Sequence, residues 1–139
     1  PWISTGSNLT ATKSMVFATQ TCDEWPALAK DMAETATRGI EAWRNADAKE
    51  FLASSKEYGL QMLKLGQAAS VPVVTDEMMS LMEIASEYGA AAKPSGAGGG
   101  DVALVWALEE EVLDRIEKRS SVPRVSISLN AQGARCVGT

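Results

Sequence analysis

The segment Lys93-Pro94-Ser95-Gly96-Ala97-Gly98-Gly99-Gly100-Asp101 places four glycines within five positions. Glycine is costly in backbone entropy, so such a run is expected where the chain bends sharply or approaches a ligand closely. A glycine-rich turn also exposes amide N–H groups, which can bind an anion. The segment is not a Walker A loop, because no Gly-Lys-Ser/Thr follows, and Asp101 stands where a dinucleotide fingerprint needs Gly or Ala. A purely structural hairpin turn is the alternative, since turns are the commonest use of glycine.

Helix and strand patterns flank this segment on both sides. Apolar residues at helical spacing, and runs that are continuously or alternately apolar, define the elements. Helices are predicted at about 10–19, 26–45, 48–69, 75–88 and 109–119, and strands at 2–5, just before the glycine segment, and at 102–107, 125–130 and 134–137. This order matches an α+β fold of the ferredoxin-like, split β-α-β sandwich type, with extra helices inserted in the first crossover.

Several residues mark helix ends and helix contacts. Thr21-Cys22-Asp23-Glu24 has the Thr-x-x-Glu spacing of a capping box, in which side chains bond the free amides of a first turn. Pro26 fits that first turn, because its missing N–H costs little there. Thr75 is predicted to cap a later helix. Gly59 and Gly66 are expected to let a neighbouring helix come close to the helix that carries them.

Composition limits the class of protein. The 139 residues are 45% hydrophobic and 22% charged, which indicates a single globular domain over 1–139. The net charge of −5 argues against nucleic-acid and membrane partners. There is no histidine, so a Ser-His-Asp arrangement is excluded, and Cys22 and Cys136 lack metal-ligand spacing, so no metal site is predicted. Unpaired cysteines favour a cytoplasmic location. Pro1 is not an initiator Met, which suggests a fragment of a longer chain.

The glycine segment closely resembles the third signature motif of the GHMP kinases, in the form carried by phosphomevalonate kinases. A second patch supports the resemblance. Ser4-Thr5-Gly6 and then Thr10-Ala11-Thr12-Lys13-Ser14-Met15-Val16 are similar to the Gly-x-x-Ala-Ser-Thr-x-x-Leu-Val stretch that opens the C-terminal domain of those enzymes. The patch departs from the pattern, being one residue longer, with Thr10-Ala11-Thr12 in place of a small residue, Ser and Thr. The resemblance covers the whole chain.

The resemblance implies a fold and an activity. The fold is that of the GHMP kinase C-terminal domain. The reaction moves the γ-phosphoryl of ATP, with Mg²⁺, onto 5-phosphomevalonate and forms mevalonate diphosphate for isoprenoid synthesis. ATP and Mg²⁺ would be bound mainly by an N-terminal domain whose phosphate loop, a Pro-x-x-x-Gly-Leu-Gly-Ser-Ser-Ala type of sequence, does not occur in 1–139. The catalytic residues are expected in that domain, which is the implied protein partner, and the isolated chain is expected to be inactive.

The resemblance also implies substrate-binding residues. Ser95 is expected to hydrogen-bond phosphomevalonate, and the amides from Gly96 to Gly99 to support its phosphate. Lys93 would neutralise phosphate charge, with a solvated strand end as the alternative. The remaining candidates are the rest of the glycine segment and two hydroxyls of the first helix, namely Ala97, Gly98, Gly100, Asp101, Thr10 and Thr12. For Thr10 and Thr12, helix capping is the competing role.

Two other functions stay open at this point. One is another GHMP enzyme, such as mevalonate kinase or diphosphomevalonate decarboxylase; Asp101 after three glycines argues against both. The other is a non-catalytic binding or assembly module that has kept the fold. Oligomeric state is not predicted from the sequence.

Overall fold

The structure, a computed structural model, describes residues 9–120 and 122–125, with side chains from Thr12 onward. Five helices and two strands lie in these ranges: α1 (Leu9–Thr21), α2 (Trp25–Arg44), α3 (Ala48–Ala68), α4 (Asp76–Glu87), β1 (Ala91–Pro94), β2 (Ala103–Trp106) and α5 (Glu110–Arg119). Helices with a small antiparallel sheet confirm the α+β class. The strands predicted at 2–5 and 134–137, and nearly all of that at 125–130, lie outside the described residues. No helix in the described ranges is long and apolar enough to cross a membrane.

Helices α2 and α3 form an antiparallel hairpin joined by a short turn. Asp47 caps α3, since its side chain accepts a hydrogen bond from Glu50 N at 3.0 Å. Gly39 of α2 lies against Ser54 of α3, where a Cβ added to the glycine would be 3.4 Å from Ser54 Cβ. Ser54 is buried by this approach. Small residues at the crossing thus bring the two helices close together.

A row of polar side chains lies between the same two helices. Gln61 Nε2 donates to Thr35 Oγ1 at 2.9 Å, and Thr35 Oγ1 donates to Glu57 Oε1 at 3.2 Å. Arg38 pairs with Glu57 and, at 3.4 Å, with Glu50. The hydrogen bond from Arg38 holds the pKa of Glu57 below its usual value. Because Thr35 and Gln61 are buried, this row fixes how α2 and α3 lie against each other.

Strands β1 and β2 form an antiparallel hairpin in which Pro94 pairs with Ala103. All residues of β1 except Lys93 are buried, against α3 and α4. Gly59 of α3 makes this possible, because a Cβ there would lie 2.9 Å from Ala92 O. The close neighbours at Gly59 are therefore this strand and helix α4, because a Cβ there would also lie 3.0 Å from Met82 Cε; the predicted helix contact is confirmed, and the contact with the strand is additional.

The core lies where α4, β1 and α5 meet. It consists of small and medium-sized apolar residues, namely Leu81, Ala85, Ala90, Ala92 and Ile116. Thr75 caps the start of helix α4, since its Oγ1 accepts a hydrogen bond from Met78 N at 3.4 Å, which confirms the predicted cap. This fixed helix start is the point on which the glycine segment rests.

The predicted capping box at 21–24 is wrong. Helix α1 continues to Thr21, beyond the predicted end at Thr19, and Thr21 Oγ1 donates to Phe17 O at 2.9 Å within that helix. The residue before α2 is Glu24, which makes no side-chain capping bond. A hydroxyl already bonded inside α1 cannot cap α2. Pro26 does lie in the first turn of α2, as predicted.

Two apolar residues of α2 are exposed although helical spacing groups them with the buried ones. Ile40 is 53% exposed and Trp43 is 63% exposed. Trp43 contacts the ring of Phe51 with centroids 5.2 Å apart, and Phe51 contacts Trp106 edge-on at the same separation. The aromatic residues of α2, α3 and β2 thus form a chain that runs from the protein surface to the sheet.

Candidate functional site

The glycine segment is the connection between β1 and β2, and its conformation is one that favours glycine. Gly96, Gly98, Gly99 and Gly100 have φ values of 63°, 86°, 89° and 105°. These values lie in the left-handed region, which costs an ordinary L-residue about 1–2 kcal/mol. Ser95 N donates to Val102 O at 2.9 Å and closes the base of the loop. The four glycines are therefore required by the shape of the loop.

The loop is fixed to the turn that precedes α4. A Cβ added to Gly98 would lie 2.1 Å from Val73 O, closer than any non-bonded contact allows, and one added to Gly100 would lie 3.1 Å from Thr75 Cγ2. Gly99 N donates to Val73 O at 3.0 Å. Val73 itself is buried. Gly98 and Gly100 thus contact the turn before α4, and their lack of a side chain lets the loop pack against it.

Other amides of the loop make no such bond to the part of the chain that the structure describes. Among the described residues, no backbone hydrogen bond uses the N–H groups of Gly96, Ala97, Gly98 or Gly100. A Cβ added to Gly96 would meet nothing within 4 Å, so this part of the loop borders open space. Consecutive amide donors on a loop of positive φ form a concave surface that suits an anion. The loop can therefore receive a phosphate or carboxylate oxygen, although the Gly99 amide is already used by Val73.

Helix α1 lies beside the loop. The position of a Cβ on Gly99 is 3.6 Å from Met15 Cε. Thr12 precedes Met15 by three residues, and side chains three apart share one face of a helix. Thr12 is half-buried, and Lys13 is exposed. Thr10 lies in the first turn of α1, but its side chain is outside the described part of the chain. Thr12 therefore shares a helix face with Met15, the residue of α1 that lies beside the loop.

Lys93 lies at the start of the loop and points towards α3. Its Nζ lies 5.5 Å from the centroid of the Tyr58 ring and donates to Pro94 O at 3.1 Å. Burial lowers the pKa of Lys93 from its ordinary value. Burial disfavours a charged group, and a nearby anion would offset that cost.

The two remaining candidates differ in exposure. Ser95 is half-buried at the entrance of the loop, and its hydroxyl makes no hydrogen bond to another described residue. Asp101 is exposed at the other end of the loop. Ser95 is therefore close to the free amides, whereas Asp101 lies beyond the last glycine.

A cavity of about 200 Å³ lies beneath the loop, between α1, α2 and α3. Its lining is mostly apolar and includes Met15, Trp25, Tyr58, Met62, Val73 and Gly96. Gly96 and Ala97 of the loop form part of its wall, so the free amides and the cavity are neighbours. Binding sites for small molecules commonly combine such an apolar space with a few polar groups.

Sequence reasoning missed the residues that support the loop. The Val73 carbonyl accepts a hydrogen bond from the Gly99 amide, and Met15 lies beside Gly99. The ring of Tyr58 contacts the ammonium group of Lys93. Each is far from residues 93–101 in sequence, and only Met15, through the second patch of the resemblance, had been connected with them. The tight packing at Gly98 was partly foreseeable, because a glycine where no helix or strand needs one often marks a close backbone approach.

The described residues offer phosphate donors but no metal-ligand set. Within 9–120 and 122–125, no group of three or more His, Cys, Asp or Glu residues is placed to hold a metal ion. The free amides near Gly96 fit a phosphate group, including one of a nucleotide. In this part of the chain, the loop is thus the region suited to a phosphorylated molecule.

A family model matches most of the region described above. The family model described as "GHMP kinases C terminal" matches residues 40–121, which is more than half of the chain and includes the whole glycine segment. This chain belongs to the GHMP kinase C-terminal family. The family assignment confirms the resemblance found in the sequence, at the level of the superfamily domain.

A solved structure has a fold similar to that of this GHMP kinase C-terminal domain. The crystal structure of a Lin0012 protein from Listeria innocua matches with a TM-score of 0.69 and 25% sequence identity. The alignment covers 83% of this chain and 34% of that one, so the chain spans about a third of the length of the Listeria protein. No curated protein sequence matches the chain.

Proposed function

We propose that this GHMP kinase C-terminal domain is the substrate-binding part of an ATP-dependent phosphomevalonate kinase. The observation that carries the proposal is the glycine loop itself. Its sequence from Lys93 to Asp101 has the phosphomevalonate kinase form, and its free amides and Ser95 suit a phosphorylated acceptor. In the complete enzyme, ATP and Mg²⁺ would be bound mainly by an N-terminal domain that carries the phosphate loop. Such an enzyme would work in the cytoplasm.

The chemistry requires two anionic molecules to approach each other. An oxygen of the 5-phosphate attacks the γ-phosphorus of ATP, the bond to the β-phosphate oxygen breaks, and ADP leaves with that electron pair. Mg²⁺, which would be held with the nucleotide by the N-terminal domain, would supply positive charge to the transferred group. The part of this chain is to hold the acceptor phosphate with Ser95, the amides of Gly96, Ala97 and Gly98, and Lys93. Catalysis of this kind depends on positioning, so a fixed loop suits the task.

The test is an assay of the complete protein with a panel of acceptors. ADP release is coupled to a dye, and phosphomevalonate, mevalonate and mevalonate diphosphate are compared at equal concentration. The proposal expects turnover with phosphomevalonate alone. Turnover with mevalonate instead, or release of carbon dioxide from mevalonate diphosphate, would identify a different GHMP enzyme. No turnover with any acceptor would favour a non-catalytic binding module.

The 139-residue chain is assayed beside the complete protein. It should release ADP only at background rate, because the phosphate loop sequence does not occur in it. Turnover near 1 s⁻¹, the low end of ordinary enzyme rates, would contradict this division of roles.

A further inference from the structure

Lys93 is a half-buried cation in an unusual place. It lies on β1, whose other residues are buried. Gly59 allows α3 to come close to this strand, because a Cβ at Gly59 would be 3.1 Å from Lys93 Cβ. The lysine side chain is therefore confined between the strand and α3, where it extends along the ring of Tyr58.

Lys93 has no carboxylate partner among the described residues. Two arginines that lie between elements do have one: Arg38 pairs with Glu57, and Arg119 pairs with Glu87. Among the residues that the structure describes, Lys93 Nζ donates only to Pro94 O, the carbonyl of the next residue, which leaves further N–H donors of the ammonium group. A buried charge without a counter-charge is unfavourable, and such groups are concentrated at functional sites.

Tyr58 connects this cation to the cavity beneath the glycine loop. Its ring lies against Lys93 Nζ, and the same residue lines the cavity together with Gly96 and Ala97. The carbonyl that accepts the lysine hydrogen bond belongs to Pro94, two residues before Gly96. Tyr58, Gly96 and Ala97 therefore line one cavity, and the ammonium group of Lys93, which is not part of that lining, contacts the Tyr58 ring.

We propose that Lys93 and Tyr58 form a pair that supplies the positive charge for the anion received by the glycine loop. This proposal rests on the proposed function of the loop as a phosphate site and adds Tyr58 to it. Lys93 is the contacting charge. Tyr58 is a positioning residue, because a ring face attracts an ammonium ion and holds it on the cavity side of α3. The amides of the loop orient the bound anion by hydrogen bonds, and Lys93 neutralises its charge.

The pair is tested by calorimetric titration of the 139-residue chain with inorganic phosphate at fixed ionic strength. Lys93→Met should weaken phosphate binding about tenfold or more, the effect of losing a charge-assisted bond. Lys56→Met is the matched control, since it removes the same charge from α3, where Lys56 Nζ is bonded to Ser86 Oγ at 2.6 Å. The control should bind phosphate as the unchanged chain does.

Variants of Tyr58 separate positioning from packing. Tyr58→Leu should weaken phosphate binding about two- to fivefold, and Tyr58→Phe should restore it, because the ring face is what holds the ammonium ion. In the Lys93→Met background, Tyr58→Leu should cause no further loss. If Tyr58 only packs, the leucine variant weakens binding equally in both backgrounds, and the proposal is wrong. Thermal unfolding of each variant verifies that the fold is intact.

The binding and turnover measurements together show whether the Lys93–Tyr58 pair or the phosphomevalonate kinase function is wrong. Phosphate binding that depends on the pair, in a protein that does not phosphorylate phosphomevalonate, would overturn the function and keep the pair. Turnover of phosphomevalonate with an unchanged Michaelis constant in Lys93→Met would overturn the pair and keep the function. Failure of the unchanged chain to bind phosphate at tens of millimolar would also overturn the pair.

Discussion

The glycine loop and the α2–α3 hairpin use their polar groups in opposite ways. In the hairpin, the side chains of Thr35, Gln61 and Glu57 are bonded to one another between two helices. In the loop, several main-chain amides donate to no described backbone group, and the loop is held by its contacts with the turn at Val73. Paired polar groups stabilise a fold, whereas unpaired donors on a fixed loop remain available to a ligand. Substitutions in the two regions should therefore change different measured quantities.

The largest effect is expected at Gly98, where the loop touches the fold. Gly98→Ala places a Cβ 2.1 Å from Val73 O at a φ of 86°, so overpacking adds to backbone strain. The free energy of unfolding should fall by about 3 kcal/mol, measured by urea denaturation. Gly96→Ala is the control, because φ is also positive there but nothing lies within 4 Å. Its cost should be about 1 kcal/mol. Equal losses at the two positions would show that the loop does not rest on Val73.

Ser95→Ala should change binding and leave stability almost unaltered. The hydroxyl makes no hydrogen bond to a described residue, so its removal costs the fold little. Loss of a charge-assisted bond to the substrate phosphate costs about 1.5–3 kcal/mol, or roughly 10- to 150-fold in affinity. In the complete enzyme, the Michaelis constant for phosphomevalonate should rise far more than that for ATP. A melting temperature several degrees lower, with both constants unchanged, would make Ser95 a structural turn residue.

Thr35→Val should lower stability and leave phosphate binding unchanged, which is the reverse of the effect expected for Ser95→Ala. Thr35→Val removes the 2.9 Å partner of the buried Gln61 Nε2, which keeps only a 3.4 Å bond to Glu57 Oε1, and the loss of one such hydrogen bond costs about 1 kcal/mol of stability. Phosphate binding by the folded protein should not change. The double variant Thr35→Val with Gln61→Leu should lose less than the sum of the two single losses, since no orphaned donor remains. Full additivity of the two losses would show that the hydrogen bond does not link the helices.

The smallest effect is expected for the pH dependence of stability at Lys93. Because burial lowers the pKa of Lys93 in the folded protein, its charge destabilises the fold at all pH values below that lowered pKa. The penalty is relieved as pH rises from the lowered pKa to the ordinary value of 10.5. Lys93→Met should thus be slightly more stable than the unchanged chain at neutral pH, by less than about 1 kcal/mol for a half-hydrated group.

This gain should shrink as the pH rises through 10.5, because well above that value Lys93 is neutral in both the folded and the unfolded chain. The measurement is urea denaturation of both proteins at a series of pH values from 7 upward. A gain that stays constant with pH would come from packing and not from charge.

The helices and the loop could be predicted from sequence because their signals are local. Four glycines in five positions restrict the backbone directly, and apolar spacing gave α3 almost to the residue. The capping box failed because Thr21 had two competing roles, and local spacing does not say which helix uses its hydroxyl. Trp43 was grouped with the core because spacing shows which residues share a face, but not what lies against that face.

The supporting residues of the site could not be predicted for the same physical reason. Val73, Met15 and Tyr58 act through contacts with the glycine segment that arise only when four helices and a hairpin are assembled. Nothing in the sequence Val71-Pro72-Val73-Val74 indicates that the Val73 carbonyl accepts a hydrogen bond from the Gly99 amide of the loop. The motif therefore indicated a candidate site, and tertiary packing determines which of its amides donate to a described backbone group.

The hydrogen bond from Gly99 N to Val73 O has a consequence for how the loop moves. Amide hydrogen exchange at Gly99 requires this bond to open, whereas the Gly96 amide can exchange from the closed loop. Slow exchange at Gly99 beside fast exchange at Gly96 would describe a loop that is rigid yet wetted by solvent. A ligand that binds such a loop displaces water without first ordering the chain, so little of its binding energy is lost as conformational entropy.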